Sequence, residues 1–387
     1  MMPFLTSAAR RRFLQDLEGI RGGRLELRTP EGNLLEFGDG EGPTAHVHLH
    51  DWALVPALAA RGDIALGEGY VAGLWDSPEP EEVLALLIRN IDHLSAHAEQ
   101  GPVTRLMLTL ADRVVRANTL RGASRNIRAH YDVGNEFYQL WLDPGMTYSS
   151  AIFGASDDLE TAQASKNARI LSLLGPGERI LEIGCGWGGF AEAAADSGRF
   201  VTGLTLSPSQ AGYADARLDG RADIRLQDYR LTEGSYDNIV SVEMIEAVGE
   251  QQWPTYFNAI ASRLNRGGRA VIQAITVPDQ NFSIYRQRSD YIRRHIFPGG
   301  MLPCHSAMVH AATAAGLELR SRFAFGQDYA RTCRIWSARM LDERSRIARL
   351  GHDQQFIRSW QYYLLGCAAT FATARTDVVQ LEFAHAA

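Results

Sequence analysis

Two different rhythms of apolar and polar residues divide the chain. From about residue 160 onward, short apolar runs alternate with helical stretches. The runs ERILEIG (178–184), FVTGLTL (200–206), ADIRLQD (222–228), YDNIVSVEM (236–244) and RAVIQAITV (269–277) read as strands, with helices at 190–198 and near 251–263 between them. This cadence predicts an α/β fold, a mostly parallel sheet with helices on both faces. Right-handed crossovers would then bring the loops after the strands to one edge, where such sheets bind ligands.

The first third follows another rhythm. A helix carrying Arg10, Arg11 and Arg12 leads into runs 24–28 and 33–37, which Pro30 and Gly32 separate as a hairpin. HVHLH (46–50) alternates with a period of two and reads as a strand with His46, His48 and His50 on one face. That face reads as plain surface rather than a metal cluster. Residues 51–119 read mostly as helices, with a turn at 76–82 where Pro78 and Pro80 break the pattern. The predicted division is an α+β accessory region over 1–120 and the α/β domain over 121–387. Within the latter, 281–305 is rich in aromatics and arginine, interrupts the cadence, and reads as an inserted lid. The remainder, 306–383, reads as two helical stretches plus strand material around RSRFAF.

Composition narrows the function. The 387 residues can hold a nucleotide-binding domain of about 200 residues and an accessory unit. A net charge of -6 weighs against a nucleic-acid binder. Arg105, Arg113, Arg116, Arg121, Arg125 and Arg128 nevertheless face a single acid, Asp112, in the window 101–130. That window reads either as a solvated helix face or as a patch for anionic lipid headgroups. The four cysteines are widely spaced and outline neither a disulfide framework nor a metal site. The first 20 residues lack the apolar core of a secretory signal, and no run approaches 18 uncharged apolar residues. The expectation is a cytoplasmic protein in peripheral contact with the inner membrane surface.

ILEIGCGWGGF (180–190) is the most informative segment. Gly184, Gly186 and Gly188 follow a strand and precede a helix, so the backbone can turn sharply and approach a ligand closely. A glycine loop is shared with dinucleotide-binding proteins. The spacing Glu182-x-Gly184-x-Gly186-x-Gly188, the later acid Asp228, and the polar pair Glu243 and Glu246 favour S-adenosylmethionine. The second strand ends without the acid that usually holds ribose hydroxyls, which leaves Thr205 or Gln210 for that work.

Further motifs carry a resemblance. They are His130-Tyr131-Asp132-Val133-Gly134-Asn135-Glu136-Phe137-Tyr138, Leu142-Asp143-Pro144, Met146-Thr147-Tyr148-Ser149, and the glycine loop itself. They continue with Gly203-Leu204-Thr205-Leu206-Ser207-Pro208-Ser209-Gln210, Ile296-Phe297-Pro298-Gly299-Gly300, Phe325-Gly326-x-Asp328-Tyr329 and Phe356-x-x-x-Trp360-x-x-Tyr363-Leu364. In this order they resemble the cyclopropane fatty acid synthase family, which includes the mycolic acid methyltransferases. The resemblance covers roughly 125–383. It implies a Rossmann-like class I methyltransferase that alkylates the cis double bond of an acyl chain, commonly one esterified in a membrane phospholipid. Tyr148, Ser149, Gly184, Gly186 and Gln210 would line the S-adenosylmethionine site, with Asp228 near the adenosine half. A bicarbonate ion would lie near Glu246 and Tyr329.

Three positions depart from the family's cyclopropane synthases. Ser150 replaces a cysteine, Ile245-Glu246-Ala247 replaces Phe-Glu-His, and Gln273-Ala274-Ile275 replaces His-Thr-Ile. Glutamine hydrogen-bonds an anion but carries no proton near neutral pH. Candidate catalytic residues are therefore Glu246, Tyr329, Gln273, Ser150 and Ile275. Tyr285, Tyr291 and Phe297 are candidates for an aromatic acyl channel that stabilises a carbocation. Removing a proton from the added methyl closes a ring, whereas removing one from a neighbouring chain carbon leaves a branched alkene. The expected product is methyl- or methylene-branched. A cyclopropane synthase, an enzyme acting on a methylated intermediate such as a furan fatty acid precursor, and a non-catalytic lipid-binding protein stay open. A homodimer is the expectation from the prevalence of two-fold symmetry.

Overall fold

The computed structural model describes residues 2–91, 93–94, 133–155 and 158–386. The arginine window 101–130, the motif residues His130, Tyr131 and Asp132, and the expected division near 120 lie outside the described residues.

The alternating second half forms a seven-stranded sheet in the order β10-β11-β9-β8-β5-β6-β7. Its strands are β5 (Arg179–Ile183), β6 (Phe200–Thr205), β7 (Asp223–Leu226), β8 (Tyr236–Val242), β9 (Leu264–Thr276), β10 (Leu317–Ala324) and β11 (Asp377–His385). Strands β5 to β9 pair in parallel, and β11 is antiparallel to both β9 and β10. Such pairing buries both faces of a strand, which accounts for the nearly continuous burial of β5 and β8. Helix Leu159–Leu173 begins at Asp158, whose carboxylate accepts from the Thr161 N–H at 2.8 Å. Helix Pro208–Leu218 combines a Ser207 cap with proline in its first turn.

Two expectations need correction. The C-terminal stretch holds four helices, His305–Ala314, Gly326–Asp342, Arg344–Arg349 and Gln354–Ala372, rather than two. The last strand, β11, went unread because Gln380 and Glu382 interrupt its apolar pattern. Gln380 is buried nonetheless, since it pairs in register with Gln273 on β9.

The first third forms a separate sheet, β2-β1-β3-β4, from β1 (Arg24–Arg28), β2 (Leu34–Gly38), β3 (Thr44–Leu49) and β4 (Trp75–Asp76). The predicted hairpin is β1–β2. The histidine face of β3 is held by carboxylates. His46 meets Glu26 at 3.1 Å, while His48 and His50 meet Asp76 at 3.4 and 2.9 Å. The opposite face presents Leu25, Leu27, Val47 and Leu49 inward.

One hydrophobic core joins this sheet to the C-terminal helices, running from Leu25 and Trp75 to Trp360 and Phe371. The segment 281–305 is stitched into that contact. Tyr291 lies against Gly67 of helix Asp63–Val71, where a Cβ would stand 2.3 Å from the tyrosine ring. The same ring meets Tyr362 edge-on at 4.8 Å. No helix among the described residues is long and apolar enough to cross a membrane.

Candidate active site

A cavity of about 680 Å³ runs from the carboxyl edge of the seven-stranded sheet to the inner face of the N-terminal sheet. The loops after β5, β6, β7 and β8 all reach its wall, as the predicted topology requires.

At one end stands the glycine loop. Gly184 and Gly186 have φ of 86° and 53°, a left-handed backbone that costs a side-chain-bearing residue about 1–2 kcal/mol. A Cβ on Gly184 would also lie 2.8 Å from Met244. Glu182 lies near the end of β5 in this wall, only 3% exposed, and its Oε2 has no hydrogen-bond partner among the described residues. Burial pushes its carboxyl up to about 8. An unpartnered buried carboxylate beside an open glycine cradle fits a cationic, amino-acid-bearing cofactor. Thr205 donates to Gln210 Oε1 at 2.8 Å, so these two act as a pair. Asp228 lines the wall with both oxygens held by Arg230, at 2.8 and 2.6 Å. Gly188 lies behind the wall. A Cβ there would meet Ala214 and Leu218 at 3.2 Å, so helix packing also requires a glycine at this position.

Lys166 was missed by sequence reasoning. It is 1% exposed, donates to Ser149 Oγ at 3.1 Å, and is lowered to about 8 by burial. It shares one helical face with buried Leu159, Ala162, Gln163, Asn167 and Ile170. Polar residues inside an apolar 3–4 spacing were the available signal. Tyr148, next to Ser149, meets the Tyr363 hydroxyl at 2.9 Å.

At mid-cavity the candidate catalytic residues converge, though not as expected. Tyr329 donates to Glu243 Oε2 at 2.6 Å, so it faces Glu243 and not Glu246. Glu243 Oε1 accepts from the Ser150 N–H at 2.9 Å and from Gln273 Nε2 at 2.7 Å. Ser150 and Gln273 are fully buried and act on the cavity only through this carboxylate. Glu243, a candidate cofactor residue, is thus the acceptor on which Tyr329, Ser150 and Gln273 converge. Glu246 Oε1 accepts from the Ile275 N–H at 2.5 Å, and Oε2 has no partner among the described residues. Burial, then the neighbouring Glu243 charge, push Glu246 up to about 8. Burial also raises Glu243, against the pull of Tyr329, Ser150, Gln273 and Lys166.

Beyond the cluster the wall turns apolar. Tyr285, Tyr291 and Phe297 all line it, as expected, together with Tyr363 and Phe371 of helix Gln354–Ala372. Phe371 stacks on Tyr329 with centroids 4.5 Å apart. Leu49, Leu84, Leu87 and Trp75 continue the wall into the N-terminal sheet.

This sheet order, with its glycine loop after the first parallel strand, defines a class I S-adenosylmethionine-dependent methyltransferase. The mycolic acid cyclopropane synthetase family matches residues 118–381, and the chain belongs to it. It is 36% identical over 375 residues to the tuberculostearic acid methyltransferase UfaA1 of Mycobacterium tuberculosis, across 92% of this chain and 86% of that one. It is 32% identical over 332 residues to the cyclopropane-fatty-acyl-phospholipid synthase of Escherichia coli, across 84% of each. A crystal structure of the mycolic acid cyclopropane synthase CmaA1, complexed with SAH and CTAB, superposes with a TM-score of 0.63. It is 29% identical and covers 67% of this chain and 97% of that one.

Proposed function

We propose that the protein transfers the methyl group of S-adenosylmethionine to the cis double bond of an unsaturated fatty acyl chain, leaving a methyl- or methylene-branched product. One observation carries this reading. A cradle fit for the methyl donor, the half-buried carboxylate pair Glu243 and Glu246, and an aromatic-to-aliphatic channel all open into the same cavity. Relatives named tuberculostearic acid methyltransferase and cyclopropane-fatty-acyl-phospholipid synthase support the substrate class.

An alkene is a weak nucleophile, so the chain's first task is alignment of the double bond with the sulfonium methyl, an orientation effect of several kcal/mol. Glu182 and Lys166 bind the donor's charged amino-acid end, and the Gly184–Gly186 turn gives its backbone room. Attack leaves a positive charge on the acyl chain. The ring faces of Tyr363, Phe297 and Phe371 on the cavity wall offer electron density to it. A 1,2-hydride shift moves the charge to the branched carbon, and loss of a methyl proton then leaves a methylene. The departures at Ser150, Ala247 and Gln273 favour the branched product over ring closure. Supply of the chain as phospholipid from the inner membrane surface, by a homodimer, completes this reading.

The test is incubation with isotope-labelled S-adenosylmethionine and cis-monounsaturated phospholipid, followed by mass and NMR analysis of released acyl chains. The expected result is a labelled one-carbon gain with vinylidene protons. Ring protons would establish the cyclopropane alternative. Incorporation only into an already methylated chain would point to a furan precursor, and cofactor binding without any turnover to a lipid-binding protein.

A further inference from the structure

The resemblance implies a bicarbonate ion beside Glu246 and Tyr329, and the residues present do not fit one. Every donor aimed at that place is already engaged by a protein carboxylate. Tyr329 Oη, the Ser150 N–H and Gln273 Nε2 converge on Glu243 at 2.6, 2.9 and 2.7 Å. The neighbouring Ile275 N–H is taken by Glu246. A carboxylate presents the same planar O–C–O edge and the same charge as bicarbonate, so the three donors are satisfied without a bound ion.

The surroundings are arranged for this. Gln273 cannot turn its oxygen toward the carboxylate, because Gln380 Nε2, its cross-strand neighbour on β11, donates to that oxygen at 3.0 Å. The Gln273 N–H is thereby fixed on Glu243. Glu243 itself sits at φ 50°, one of four non-glycine residues among those described with a positive φ. Backbone strain of this kind persists where the surrounding structure imposes it, and it clusters at functional sites. Here it swings the carboxylate from the end of β8 into the cavity wall, where Lys166, Glu246 and Tyr329 are its charged and titratable neighbours.

We propose that Glu243 is the built-in base of the reaction, standing where a diffusible bicarbonate would otherwise act. The inference rests on the acyl methylation reading above. The alkene π pair forms the new carbon–carbon bond to the methyl, and the carbon–sulfur pair returns to sulfur as S-adenosylhomocysteine. A C–H bond on a carbon next to the cationic centre then breaks. Its electron pair closes the carbon–carbon double bond, and its proton passes to a Glu243 oxygen. Glu246, kept largely protonated by burial beside Glu243, leaves the negative charge on the carboxylate with three donors.

Two variants and a binding measurement test this in the full-length protein. Glu243→Gln keeps the shape and removes the base. Turnover should fall by at least about 10²-fold, with S-adenosylmethionine affinity essentially unchanged. Glu243→Gly relieves the positive-φ strain and opens the anion position. Titration with ¹³C-bicarbonate, followed by NMR in carbon-dioxide-free buffer, should show saturable binding to this variant and none to the wild type. Added bicarbonate should also restore part of the variant's turnover, while wild-type turnover is indifferent to it. Saturable binding by the wild type, a bicarbonate requirement for its turnover, full activity of Glu243→Gln, or binding by neither chain would each overturn the proposal. If the wild type alkylates no unsaturated lipid, the functional reading fails. The titration still decides the occupancy of the anion position, upheld by binding to Glu243→Gly alone.

Discussion

At the donor end of the cavity the wall is built around backbone, a contiguous turn from Glu182 to Gly186 in which Gly184 and Gly186 take φ values that cost any other residue. At the acyl end the wall is side chains, drawn from the N-terminal sheet, segment 281–305 and helix Gln354–Ala372. The two ends therefore respond to substitution differently. A backbone cradle fails abruptly when one Cβ is added, while an apolar wall changes its dimensions by degrees.

The largest effect should come from Gly184→Ala. The added carbon is strained at φ 86° and meets Met244 at 2.8 Å. Strain and overpacking of about 3 kcal/mol correspond to a loss of about 10²-fold in S-adenosylmethionine affinity, measurable by calorimetry. Unchanged affinity would break the description of the cradle. Next is Tyr329→Phe, which removes the 2.6 Å bond to Glu243 at mid-cavity. A charge-assisted hydrogen bond contributes about 1.5–3 kcal/mol, so kcat should drop about 10- to 100-fold with cofactor affinity retained.

The acyl end should answer more gently. Leu87→Trp adds bulk to the half-buried wall near the N-terminal sheet. It should leave cofactor binding intact and shift preference toward shorter acyl chains by about tenfold, about one methylene's worth of contact. A uniform loss across chain lengths would show that the tail lies elsewhere.

How legible these regions were follows from the same contrast. The donor loop is contiguous, so its spacing alone disclosed it. The proposed catalytic cluster joins Ser150, Glu243, Gln273, Tyr329 and Gln380, which lie on five separate segments. Ser150, Glu243, Gln273 and Tyr329 were each visible in the sequence, but the hub role of Glu243 depends on a positive φ that no residue pattern signals at a glutamate. Gln380 was missed with β11, since a glutamine inside a strand reads as solvent-facing until its buried partner is known. Lys166 was missed for the same reason on a helix. Parallel strands were easy because burial on both faces makes their runs continuous. The N-terminal hairpin was equally plain, from its turn residues.

The smallest effect separates the ends by pH. Glu182 and Glu246 are raised from an ordinary 4.5 to about 8 by burial. The folded chain then holds protons that the unfolded chain releases. Their contribution is fully present below pH 4.5 and is lost as pH rises through 8. The Tm of the cofactor-free protein should fall across that window, and Glu246→Gln should shrink the fall by roughly a few degrees. A fall as large as that of the wild type in both Glu246→Gln and Glu182→Gln would contradict the assignment of buried protons to these carboxyls.

The account stands on donor and acyl chain meeting inside one cavity beside Glu243. A crystal structure with S-adenosylhomocysteine and a cis-monounsaturated acyl detergent tests this most directly. The account predicts the sulfur over the Gly184–Gly186 turn, the double bond between it and the Glu243 carboxylate, and the tail running toward Leu49 and Trp75. A cofactor seated there with the acyl chain on an outer face of the protein would contradict it.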